Sequence, residues 1–260
     1  SSLVGSEMCI RDRCKKGKRM SKINFKPGNM IYPLPAVMVS CGDIETASNI
    51  LTVAWTGTIC TNPPMAYISV RPERYSYDMI KKSGEFVINL TTEQLIKATD
   101  FCGVRSGKDV DKWLKCNLTK EKADTVKCPL IAESPVNIEC KVTEIKELGS
   151  HHMFIADVTA VHVDESYMDK NNSFHLNDSN LLAYSHGSYF GLGNELGTFG
   201  YSIRKKKAAA KSSQKAEKKS HTDKKRIVKE KKSMSQKVMA KQHIKHSKTT
   251  VKNKRIKKHK

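Results

Sequence analysis

The stretch from Asn49 to Ser76, NILTVAWTGTICTNPPMAYISVRPERYS, holds the residues best suited to chemistry. Its first half is a strand-like run with small and hydroxyl side chains at Thr52, Ala54, Thr56 and Thr58, so a flat ligand can come close to the backbone. Backbone N–H and C=O groups exposed at a strand end can read the polar edge of an aromatic ring system. Its second half places Arg71, Arg74 and Ser76 at the start of a helix, where they offer charge and donors to a phosphate. One planar, phosphorylated ligand would use both ends. An ordinary strand pair followed by a capped helix would show the same residue types, so both readings stand at this point.

Other chemistry is less well served. There is no phosphate-binding G-x-x-x-x-G-K-[ST] loop, and Ser106-Gly107-Lys108 lacks the upstream glycine of one. Gly191-Leu192-Gly193 is followed by no dinucleotide-binding strand–turn–helix, and neither H-E-x-x-H nor G-x-S-x-G occurs. His151 and His152 are adjacent, which puts them on opposite faces of a strand and argues against a shared metal. No metal site is expected. The eight cysteines, at 9, 14, 41, 60, 102, 116, 128 and 140, form no C-x-x-C pair. They read as reduced, mostly buried thiols of a cytoplasmic protein.

The elements that must position these residues are mainly strands. Ala36–Cys41, Asn49–Thr56, Met65–Val70, Glu85–Leu90, Pro135–Ile145 and His152–Val163 are apolar or alternating runs bounded by glycine and proline. Short helices fit Tyr75–Lys82, Thr91–Phe101 and Asp109–Lys115. Strands that do not alternate with helices predict a closed or partly closed antiparallel barrel rather than a doubly wound parallel sheet.

Charge divides the chain. The whole carries 47 Lys+Arg against 26 Asp+Glu, but residues 204–260 hold 24 of the basic and 3 of the acidic side chains. Residues 27–203 hold 15 and 21, so the body is mildly acidic. That excludes one uniformly basic nucleic-acid-binding domain. The lysine-rich tail has no Phe, Tyr or Trp and is expected to be disordered, with nonspecific polyanion contact open to it. Residues 1–23 read as a non-native or disordered leader; SSLVGSEMCIRDR looks like translated sequencing adapter, with Met20 as the expected natural start. No apolar run approaches the ~20 residues a membrane helix needs, so no span is expected.

Taken in order, YPLPAVMVSCGD, NILTVAWTGTICTNPPMAYISVRPERYSYDMI, GEFVINL, DFCGVRSGKDVDKW, PVNIEC, LGSHHMFIADV and LGTFGYS resemble the flavin reductase-like domain family, above all its flavoredoxin branch. The resemblance covers residues 24–203. It implies an FMN-binding split β-barrel, mainly β with short helices, working as a homodimer with FMN near the interface. It implies that Asn49, Thr52, Val53, Ala54, Trp55 and Thr56 contact the flavin, and that Arg71, Arg74 and Ser76 handle its phosphate. His151, three residues before Phe154, would lie near the reactive face where NAD(P)H binds. Trp55 reads equally as a core aromatic, and Cys60 better as a structural thiol than as a reactive one. The block Asp100, Cys102, Gly103, Ser106, Gly107 and Asp111 reads as loop and helix packing near the cofactor or the dimer seam, with no catalytic role for any single residue.

The activity so implied is hydride transfer from NAD(P)H to FMN, with onward transfer to free flavin, ferric iron or a redox protein. Two alternatives stand beside it. One is a flavoredoxin-type electron carrier reduced by a protein partner. The other is a polyanion-anchored protein in which the tail is the main functional element.

Overall fold

The computed structural model describes residues 22–203, and the expectations for the leader before them and for the lysine-rich tail lie outside the described residues. A two-residue strand β1 (Leu34–Pro35) leads into β2 (Val37–Gly42), β3 (Ser48–Val53), β4 (Thr56–Cys60) and β5 (Met65–Val70). Helix α1 (Tyr75–Ser83) and strand β6 (Glu85–Asn89) follow, then α2 (Ile96–Val104) and α3 (Lys112–Cys116). The remaining strands are β7 (Lys120–Glu121), β8 (Leu130–Ile131), β9 (Val136–Leu148), β10 (His151–Val163), β11 (Leu182–Ser185) and β12 (Ser188–Gly191). Among the described residues no helix is long and apolar enough to cross a membrane.

Seven strands form one antiparallel sheet in the order β3-β2-β6-β9-β10-β5-β4. The two edge strands are consecutive in the chain, joined only by Ala54 and Trp55. The sheet must therefore curl until its edges nearly meet, which makes a barrel split at that joint. Period-two alternation fills the interior. Val37, Val39 and Cys41 of β2, Phe86 and Ile88 of β6, and Phe154 and Ala156 of β10 share one buried cluster. Phe86 and Phe154 are fully buried, each contributing about 1.5–3 kcal/mol of hydrophobic stabilisation. The opposite faces of β2 and β3 send Met38 and Ile50 into a second cluster with Ala98 and Cys102 of α2 and Trp113 of α3. Those helices therefore lie on the outside of the barrel, against the strand that carries the candidate site.

The expected run Asn49–Thr56 is two strands. Ala54 and Trp55 form a bend between β3 and β4, although neither is a turn-forming residue. The bend is what lets one stretch of sequence supply both edges of the split.

Candidate functional site

Three chain segments converge at one end of the barrel. The Trp55 carbonyl at the bend accepts a hydrogen bond from the Ser69 N–H at 2.8 Å, which sets the bend beside the end of β5. Strand β10 pairs antiparallel with β5, His152 opposite Val70, so His151 stands beside the chain as it leaves β5 toward Arg71. A two-residue turn with Gly149 at φ 57° starts β10 at this place, in a left-handed conformation that favours glycine.

A cavity of about 310 Å³ opens here, lined by Thr52, Val53, Ala54, Trp55, Arg71, Arg74 and His151. Its far wall comes from the small sheet β1-β11-β12 through Tyr184, Gly187 and Tyr189. Trp55 and His151 stack with ring centroids 5.6 Å apart and planes 23° apart. Partial burial lowers the His151 pKa, the Arg71 and Arg74 guanidiniums lower it further, and Glu73 opposes them. Its imidazole is thus mainly neutral at pH 7. Nδ1 of that ring is 3.0 Å from the Ser150 hydroxyl. His152 points the other way and meets the Tyr77 hydroxyl at 2.7 Å, as adjacent strand residues must.

A smaller cavity of about 100 Å³ continues from the first, and the two share Leu51, Arg74 and Val104. Its lining is polar and cationic: Asn49, Ser76, Arg105, Ser106, Gly107 and Lys112 join Arg74. Buried Asn49 donates from Nδ2 to the Ser76 hydroxyl at 2.8 Å, and Arg74 donates from Nη1 to the Gly103 carbonyl at 3.3 Å. Arg74 is also the N-cap of α1, with extended backbone and no side-chain capping bond, so no side chain caps the first-turn N–H groups at the positive end of the helix dipole. Helix α2 comes close to β3 because Gly103 lies against Thr52, where a Cβ would meet the Thr52 side chain at 3.3 Å. Gly107 is tighter still: a Cβ there would sit 2.1 Å from Asn49 Oδ1.

The sequence-designated residues therefore divide into three groups. Thr52, Val53, Ala54, Trp55, Arg71 and His151 line the larger cavity, and Arg74 lines both. Asn49, expected at the ring system, lies in the smaller cavity with Ser76. Thr56 lines neither: it is buried in β4 and its hydroxyl donates to the Tyr67 carbonyl at 2.7 Å. The thiol of Cys60, also in β4, donates to the nearby Asn62 carbonyl at 3.3 Å. Sequence reasoning missed Lys112, Arg105, Tyr184 and Tyr189. The Tyr189 hydroxyl donates to Asp100 Oδ1 at 3.3 Å, and burial together with that carboxylate pushes its pKa up to about 12.

The flavin reductase like domain model matches residues 29–193. The chain belongs to the flavin reductase-like domain family. Within that family it resembles an uncharacterized protein of Archaeoglobus fulgidus, 30% identical over 139 residues that make up 54% of this chain and 77% of that protein. Among solved structures it is similar to the flavoredoxin of Desulfovibrio vulgaris (Miyazaki F), with a TM-score of 0.65 and 27% identity over 71% of this chain and 100% of that one. Flavoredoxin from Methanosarcina acetivorans gives 0.63 and 26%, over 71% and 100%. The split-barrel expectation holds. The donor set of the joined cavities fits a flavin mononucleotide: bend backbone and a ring-wide space in one, cations and helix N–H groups for a phosphate in the other.

Proposed function

We propose that the protein binds FMN and acts as an oxidoreductase that receives hydride from NAD(P)H and passes electrons onward. The observation that carries this reading is the continuous trough formed by the two cavities, which meet at Leu51, Arg74 and Val104. Bound FMN would supply the redox chemistry, accepting hydride at its N5 and giving electrons to free flavin, ferric iron or a redox protein.

This chain's residues would bind and orient. The backbone at Val53, Ala54 and Trp55 would meet the ring edge, and Thr52 would hold α2 against β3 through its hydrogen bond to the Thr99 carbonyl at 2.5 Å. Arg74, Ser76 and the open N-terminus of α1 would hold the phosphate, with Arg71 nearer the mouth. The neutral His151 ring, stacked on Trp55, offers a donor or acceptor to a nicotinamide amide without adding charge. No fixed general acid is required when hydride moves between cofactors, so positioning carries the catalysis. We extend the proposal to a homodimer, because Phe25, Met30 and Ile31 stand between 63% and 84% exposed in the single chain.

The test is stopped-flow reduction of the purified protein, which should be yellow with bound flavin. Rapid anaerobic bleaching by NADH or NADPH is expected. A flavin that binds but bleaches slowly with both would replace this reading with the flavoredoxin-type carrier, toward which the similarity to two flavoredoxins points. Colourless protein with no affinity for FMN would remove both.

A further inference from the structure

Two thiols meet between the helices on the outside of the barrel. The Sγ atoms of Cys102 in α2 and Cys116 in α3 lie 3.9 Å apart, although the residues are 14 apart in sequence. The thiols of Cys41, Cys60 and Cys140 instead meet backbone carbonyls, at 3.7, 3.3 and 3.6 Å. Cys102 is buried in the cluster of Met38, Ile50 and Trp113, and the half-buried Cys116 packs against it. Burial raises both thiols above their ordinary value, Cys102 to about 12. The Lys112 ammonium opposes that shift at both, and the Cys102 S–H favours a Cys116 thiolate by donating to it. Cys116, the more exposed of the two, therefore ionises first and meets oxidants in solvent first.

The position gives a cross-link a consequence. Helix α2 ends at Val104 and α3 begins at Lys112, and the connection between them carries Ser106 and Gly107 into the wall of the smaller cavity. One tether already joins the two helices: Lys112 Nζ, at the start of α3, donates to the Cys102 carbonyl at 2.9 Å. At the far end of α3, Cys116 touches the same α2 residue through sulfur. A bond there would close residues 103–115 into a covalent ring. The disulfide is apolar, so it suits a buried cluster that disfavours a charged thiolate.

We infer that Cys102 and Cys116 form a reversible disulfide, made by hydrogen peroxide, that braces the α2–α3 connection; its consequence, slower release of bound flavin, rests on the FMN reading above. The Cys116 thiolate attacks one peroxide oxygen, the O–O bond breaks, and the departing hydroxide takes up a proton to become water. The Cys102 sulfur then attacks the sulfenic sulfur of Cys116. The S–S bond forms, the S–O bond breaks, and the hydroxyl leaves with the Cys102 proton as a second water. Two thiols lose two electrons, and the peroxide gains them. A dithiol reverses the bond by exchange. The sulfurs must close from 3.9 Å by about 2 Å, which draws the end of α3 onto α2.

The experiment treats the full chain with hydrogen peroxide, beside Cys116→Ser and, as a control at the other half-buried thiol, Cys60→Ser. Peptide mapping by mass spectrometry reads the linkage, thermal shift reads the apoprotein, and recovery of flavin fluorescence on dilution reads FMN release. Wild type should yield a linked Cys102–Cys116 peptide that dithiothreitol removes. Melting of its apoprotein should rise by about 5 °C. Release of FMN should slow about 10-fold, because the braced connection opens less often. Formation should quicken steadily from pH 7 to pH 9, since burial holds the Cys116 thiol above its ordinary value of 9.0. Cys116→Ser should lose all of these effects, and Cys60→Ser should keep them. Absence of the linked peptide under peroxide that oxidises Cys60 overturns the inference and leaves the FMN reading standing. A linked peptide with unchanged FMN release overturns the bracing role. If the protein binds no FMN, the FMN reading fails, while the linked peptide and the apoprotein shift still decide the pair.

Discussion

Glu139 and Lys112 are both ionisable side chains withdrawn from water, yet they are held in opposite ways. Glu139 in β9 is fully buried. Its Oε1 accepts from the Asp124 N–H at 2.8 Å and meets His162 Nε2 at 2.6 Å. Its Oε2 accepts from the Thr125 N–H at 2.7 Å, the Thr125 hydroxyl at 2.5 Å and the Val126 N–H at 3.2 Å. Lys112 has two neutral carbonyls. One ion is saturated by its own chain, and the other is left short beside a cavity. The saturated charge fastens a loop to a strand, whereas Lys112 lies beside the open space of the smaller cavity. The same distinction disposes of a tempting metal site. Asp124, Glu139 and His162 bring ligand atoms within 4.8 Å of one another, but the Glu139 oxygens are already engaged by N–H and O–H donors.

Breaking the saturated side should give the largest effect on the fold. Glu139→Gln turns an amide NH2 toward the loop donors and should cost about 3 kcal/mol of stability, read from denaturant midpoints. It should leave the ratio of FMN to riboflavin affinity unchanged. Burial alone would raise the Glu139 pKa, but hydrogen bonds from Thr125, Asp124 and His162 outweigh it and hold the carboxyl at about 2. A folded pKa below the unfolded value of 4.5 contributes stability that is fully present above pH 4.5. That part is lost as pH falls from there through about 2, and Glu139→Gln should remove this acid-side slope. A loss under about 1 kcal/mol would erase the contrast.

Breaking the unsaturated side should spare the fold and change ligand choice. Arg74→Ala combined with Ser76→Ala should weaken FMN binding by about 100-fold and riboflavin binding far less, by fluorescence titration. Loss of the Ser76 hydroxyl also frees Asn49 Nδ2, so the ratio of the two ligands is the decisive quantity and not either affinity alone. Equal losses would mean that the smaller cavity holds no phosphate.

The barrel was legible because its strands are short apolar runs punctuated by glycine and proline. Arg74 and Ser76 were legible as candidates, and both line the smaller cavity, because a guanidinium and a hydroxyl at a helix start are suited to an anion. The split itself was hidden: Ala54-Trp55 carries no turn signature, and the apolar pattern runs through it from Asn49 to Thr56. Tertiary closure of the sheet imposes that bend, and so moves Thr56 away from the site. Glu139 and Lys112 were hidden for a different reason. In PVNIEC and DVDKWLK they look like the solvent-facing members of amphipathic elements, and only long-range packing shows them buried. For Lys112 one local signal existed, a lysine directly after the N-cap Asp111, where a helix ordinarily avoids positive charge.

A smaller change sharpens the comparison from the backbone side. Gly107→Ala would place a methyl 2.1 Å from Asn49 Oδ1, so Asn49 must leave its hydrogen bond to Ser76 or the 106–108 turn must shift. Either movement alters the smaller cavity and leaves the Glu139 knot alone. FMN affinity should fall about 10-fold, with melting of the apoprotein changed by less than for Glu139→Gln.

The smallest effect belongs to His151, at the mouth of the trough, where geometry asks only for one neutral hydrogen bond. His151→Asn keeps a donor and an acceptor but removes the ring that stacks on Trp55. FMN and riboflavin affinities should hold, while bleaching by NAD(P)H slows about fivefold, near the worth of one such bond. Because burial and the two guanidiniums depress the His151 pKa, its folded form favours the neutral ring. Its contribution to stability is therefore complete above the ordinary value of 6.5 and declines as pH falls through it. The same titration should appear in the wild-type bleaching rate as a step below pH 6.5 and be absent from His151→Asn. A step that survives in the variant would assign it to another group. A variant that bleaches at the wild-type rate across the range would leave His151 as a packing partner of Trp55, on the saturated side of the comparison.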